Sequence, residues 1–176
     1  MNSADTWLQV GLLALATSGA LLDLSTRRIP NWLTVTGLFA AAAIRLIAGG
    51  GSALQSGLLA AGIAFALSFP LFVVRALGGG DVKFLTAVCA FVGWERLWIS
   101  LAATAIAGGL LALVVAIRQG AVQSTLKHMW RLVKSAALKI VRKDQVLSVQ
   151  TLTTPGALTV PYGLAIAVGA VVGFYW

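Results

Sequence analysis

Long apolar runs divide this chain, each closed by glycine, proline or charge. They lie near 6–23, 32–49, 53–76, 82–94, 96–117 and 158–176. A helix needs about 20 apolar residues to cross ~30 Å of hydrocarbon. Run 82–94 falls short of that length, so it is either tilted and shielded by its neighbours or merged with the run after it. The breaks have their own chemistry. Ile29-Pro30-Asn31 separates the first two runs, with Pro30 suited to the first turn of the second helix. Gly49-Gly50-Gly51 ends the second run, Gly78-Gly79-Gly80 the third, and Gly93-Trp94-Glu95-Arg96 marks the next turn. The pattern predicts an all-α polytopic transmembrane bundle of about six spans, one domain over 1–176.

Segment 118–157 departs from this pattern. Within 120–145, Val122, Leu126, Met129, Trp130, Val133, Ala137, Ile140 and Val141 recur at helical spacing, and Lys127, Arg131, Lys134 and Lys139 fall mainly off that stripe. A basic amphipathic helix of this kind lies in the interface of an anionic leaflet, against the plainer reading of a solvated charged loop. His128 belongs to the same segment and reads as a surface residue, because no partner for it is evident.

Composition supports the membrane reading. The chain is 59% hydrophobic and 10% charged, with mean hydropathy +0.93; a soluble domain carries about 25% charged residues. The net charge of +8 raises nucleic acid as a partner, but the apolar runs make membrane orientation the better explanation. Cys89 is the single cysteine, so no internal disulfide and no CxxC zinc pair exists. Residues 1–6 hold Asp5 and no Lys or Arg, which is not the basic start of a signal peptide, so the first run is read as a retained helix.

Charge also sets the orientation. With the N-terminus outside, the cytoplasmic regions hold Arg27, Arg28, Arg75, Lys83, Arg118, Lys127, Arg131, Lys134, Lys139, Arg142 and Lys143; the opposite side holds Arg45 and Arg96. That asymmetry is a strong positive-inside bias. It places Asp23 and Asp81 on the same, cytoplasmic, side.

Those two aspartates are the candidate chemistry, because a carboxylate at the edge of hydrocarbon is costly. Each has an ordinary explanation. Asp81 follows glycines and precedes an apolar helix, as an N-cap does. Asp23 precedes Arg27 by four residues, the spacing of a helical ion pair worth only about 0.3–0.5 kcal/mol. The glycines argue for more than a cap: Gly78, Gly79 and Gly80 exceed what a turn needs and permit positive φ or close approach of another chain. They are candidate substrate-binding positions.

Taken together, Asp23-Leu-Ser-Thr-Arg-Arg-Ile-Pro-Asn31 and Gly78-Gly-Gly-Asp-Val-Lys83 resemble the type 4 prepilin peptidases, GxGD aspartyl proteases of the membrane. Pro161-Tyr162-Gly163-Leu-Ala-Ile-Ala167 looks like that family's last helix. The resemblance covers essentially the whole chain, and its small size looks most like the branch serving tight-adherence (Flp-type) pili. It implies that Asp23 and Asp81 are catalytic and that the substrate is a prepilin with a short basic leader. It further implies a bacterial inner-membrane enzyme with its active site facing the cytoplasm. Larger members carry an N-terminal segment with cysteine pairs and methylate the new N-terminus; this chain has one cysteine, so N-methylation is not expected of it.

Two carboxylates held close share a proton, and such a pair activates water for peptide hydrolysis without a metal or organic cofactor. The rival class is a transporter or channel subunit, since glycine-broken helices and intramembrane carboxylates also mark ion pathways. Inverted repeats would favour that class, and none is evident. A non-catalytic scaffold would tolerate Asp→Asn at both positions.

Overall fold

The computed structural model describes residues 3–73, 77–118 and 162–175, and every element among them is a helix. In chain order these are α1 (Ser3–Thr26), α2 (Asn31–Val73), α3 (Gly79–Val92), α4 (Leu97–Arg118) and α5 (Tyr162–Tyr175). The chain divides into two compact units. One comprises 1–109 and 161–176, the other 110–160. Of the second, the described residues are the last turns of α4. The expected amphipathic helix at 120–145 lies outside the described residues.

Helix α2 has 43 residues, about 65 Å if straight and twice the hydrocarbon thickness. It is not straight. Gly50 has φ 70 and ψ −165, outside helical space, and breaks it into arms 31–49 and 51–73. The arms fold back on each other: Arg45 Nη1 donates to the Ala53 carbonyl at 3.2 Å, and Gly57 lies directly against the Arg45 side chain. Only glycine adopts such a φ without strain. The break predicted at Gly49–Gly51 is therefore a helical hairpin.

Helix α3 has 14 residues, about 21 Å, too short to span. It stands apart from α4 rather than merging with it. Phe84, Ala87, Val88, Cys89 and Phe91 are all at most 1% exposed, so nearly every side of α3 is covered. A helix apolar all round belongs in a core. Glycines let α1 approach it: the Phe84 ring lies against Gly19, and a Cβ on Gly11 would meet the Phe91 ring at 2.6 Å.

Among the described residues, three helices are long and apolar enough to cross a membrane: Asp5–Thr26, Asn31–Val73 and Leu97–Val115. The six expected runs correspond to five helices among the described residues, the second and third runs being the two arms of α2. Large apolar side chains cover the outside, among them Phe39, Ile47, Phe65, Leu67, Ile106 and Leu110. In water so much exposed hydrocarbon would be a liability; against lipid it is the solvated face.

At the C-terminal end of α3 the buried guanidinium of Arg45 donates to the Ala90 carbonyl at 2.7 Å and the Phe91 carbonyl at 2.8 Å. These are among the last carbonyls of the helix, which lack helical donors. Helix α5 seats closely on α4, where Gly169 and Gly173 lie against Ser100 and Thr104. Small residues let the two backbones meet. Ser100 Oγ and Thr104 Oγ1 are buried there without a hydrogen-bond partner among the described residues.

Candidate active site

The opposite end of α3 holds the candidate site. The helix begins two residues before Asp81, with Gly78 as N-cap at φ −73 and ψ 148. Asp81 is therefore not the N-cap its sequence suggests. It occupies the third helical position, and its Oδ2 accepts the Gly78 N–H at 3.2 Å. That is the acidic half of a capping box.

The glycines also differ from expectation. Gly79 and Gly80 are helical, and the positive-φ glycines among the described residues are Gly50 and Gly93. Space explains their identity better than backbone freedom does. A Cβ on Gly78 would sit 2.8 Å from Asp81 Oδ2, and one on Gly79 would sit 3.2 Å from the Phe72 ring. A Cβ on Gly80 would make ordinary contact with Ile29, at 3.5 Å from its carbonyl oxygen. The link between α1 and α2 thus lies over the start of α3. Lys83 Nζ, donating to Asn31 Oδ1 at 3.0 Å, ties the same two regions.

Asp23 lies one turn before the end of α1 and is 6% exposed. Its carboxylate turns inward, where Oδ2 accepts the Gly163 N–H at 2.7 Å. Gly163 is in the first turn of α5, where backbone N–H groups have no helical acceptor. Two helix starts, those of α3 and α5, thus each supply a backbone N–H to one carboxylate.

The structure brings Asp23 and Asp81 within reach of each other's charge. Asp81 opens a helix too short to span. Burial first, and then the Asp23 charge, push its carboxyl up to about 6, against the opposing Gly78 N–H. The charge of Asp81 in turn reaches Tyr162, the residue before Gly163, whose ring edge packs on Gly108. Two carboxyl groups so placed hold one proton between them more readily than none. One ionised member can accept a proton from water while the protonated member donates one.

Sequence reasoning singled out Asp23, Asp81 and Gly78 to Gly80, and the structure gathers all five at one end of the bundle. It missed the roles of Gly163, Tyr162, Lys83 and Asn31. The Pro161-Tyr162-Gly163 motif was the available signal, but a contact across 140 residues is not written in local pattern.

A family model for the type IV leader peptidase family matches residues 10–113, more than half of the chain, and that stretch includes both aspartates. No curated protein and no solved structure matches the chain.

Proposed function

The chain belongs to the type IV leader peptidase family, and we propose that it is an aspartic endopeptidase in which Asp23 and Asp81 form the acid–base pair. The observation that supports this reading is that the Asp23 charge reaches Asp81 while each carboxylate accepts a helix-start N–H. The substrate in this reading is a prepilin of the tight-adherence (Flp) type, with a short basic leader in the cytoplasm and an apolar helix in the bilayer. Cleavage falls at the boundary between the two, after a leader glycine.

The basic residues around the site favour a cytoplasmic placement in a bacterial inner membrane. Arg27, Arg28 and Lys83 all lie at the aspartate end. A basic leader and a basic surface repel, so in this reading those side chains, together with 118–157, meet anionic lipid headgroups. The two carboxylates then offer the leader its acidic target. In this reading Gly78 to Gly80 act on substrate access indirectly, since their lack of side chains admits Asp81, Phe72 and Ile29 to the start of α3.

The test is co-expression with a prepilin and observation of leader loss on a gel. Processing that depends on both carboxylates supports the reading. A prepilin left unprocessed by the intact chain, across the pilins of its own cell, contradicts it.

A further inference from the structure

Gly163 meets Asp23 in two ways. Its N–H donates to Oδ2 at 2.7 Å, and its bare Cα faces the carboxyl group, where a Cβ would lie 2.8 Å from both Asp23 Cβ and Oδ2. The donor stands at the start of α5, so it carries part of the positive end of the helix dipole. A backbone N–H of this kind favours carboxylate over carboxyl. The donor to Asp81 is weaker in geometry, at 3.2 Å and from Gly78, three residues earlier in the same turn.

We propose that Gly163 is a positioning residue: its amide holds Asp23 as the ionised, water-activating member of the pair and leaves the shared proton on Asp81. This rests on the reading of Asp23 and Asp81 as the catalytic pair. The protons then balance. As the water oxygen bonds to the scissile carbonyl carbon, one water proton passes to Asp23 and the Asp81 proton passes to the carbonyl oxygen. On collapse the C–N bond breaks, Asp23 gives its proton to the leaving nitrogen, and Asp81 recovers one from a hydroxyl of the diol. The pair returns to its starting state.

The amide is held in place by packing that does not involve the carboxylates. Gly169 and Gly173 seat α5 on Ser100 and Thr104, and the Tyr162 ring rests on Gly108. Among the described residues, Asp81 on α3 couples in charge to Asp23, Tyr162 on α5 precedes Gly163 and couples to Asp81, and the Arg27 backbone N–H bonds the Asp23 carbonyl one turn on. Lys83 is tied to Asn31.

The experiment uses the full chain in nanodiscs and a peptide with a basic leader ending in glycine before an apolar segment. Gly163→Ala is expected to lower kcat by about tenfold with KM within about twofold, and to move the acid limb of the pH–rate profile to higher pH. Gly62→Ala, at a position with nothing within 4 Å of the added carbon, is the control expected to change neither. Should Gly163→Ala fail to fold, the intact chain still decides: the Gly163 amide proton in NMR should follow the pH titration of the pair, and that dependence should vanish in Asp23→Asn. Normal kcat with an unmoved acid limb in Gly163→Ala, or an amide indifferent to pH, overturns the proposal while leaving the pair intact. Full activity in Asp23→Asn removes the pair itself, and this proposal with it.

Discussion

Gly78 has dihedrals that alanine adopts freely, so only space decides its identity. The nearest atom to an added Cβ is Asp81 Oδ2, at 2.8 Å, and the carboxylate must swing away to admit it. Gly78→Ala is therefore expected to cut cleavage severalfold at normal protein abundance. Gly80→Ala should be mild, because its Cβ would meet Ile29 at ordinary contact distance. Cleavage assays of the two variants, run beside immunoblots, check the order; equal rates would remove the steric account. Asp81 makes a second prediction. Its carboxyl, raised to about 6 chiefly by burial and then by Asp23, loses its proton as pH rises through that range, and the rate should fall there. Because the folded value exceeds the unfolded one, ionisation also weakens the fold over the same window. In Asp23→Asn one of the two causes is gone, so carboxyl-carbon NMR should find Asp81 titrating at lower pH. The sequence made both aspartates visible through their cost. It did not show that Asp81 is the third residue of its helix rather than its cap, because Gly79 and Gly80 read as a turn when judged by propensity alone.

Among the elements, α3 is the one whose placement everything else serves. Its N-terminal turn carries Asp81, and its C-terminal carbonyls are held by Arg45, buried at 7% exposure. Replacing Arg45 by Met keeps volume but strands the Ala90 and Phe91 carbonyls, at a cost of about 3 kcal/mol. The expected result is a lower thermal midpoint in detergent with cleavage retained at low temperature, since the aspartates are at the other end of α3. An unchanged midpoint would mean water replaces the guanidinium freely. The runs and glycine breaks foretold α1, the hairpin at Gly50, α3 and α4 closely. Arg45 read as a charge on the outer side, because its carbonyl partners lie on another helix, 45 and 46 positions away. Long-range satisfaction of this kind leaves no local period to read.

At the scale of the molecule, the aspartate end and the Arg45 end are chemically distinct. Trp32 is exposed near the first, and Trp7, Trp94 and Trp98 are exposed near the second. Indole rings settle at membrane–water interfaces, so the two groups would bracket the hydrocarbon with the pair near one face. Cys89, the one native thiol, is fully buried, so introduced cysteines report on a clean background. Thr26→Cys and Ser52→Cys, both at exposed positions near opposite ends, should label from opposite sides of the membrane, Thr26→Cys from the cytoplasm. Labelling of both from one side would contradict the orientation drawn from charge.

The claim on which the rest depends is that both carboxylates are needed for cleavage. Asp23→Asn and Asp81→Asn keep the shape of each side chain and remove its capacity to exchange a proton. Expressed one at a time with a prepilin, each variant should insert in the membrane at normal abundance and leave the leader uncut. Full processing by either variant would contradict the account.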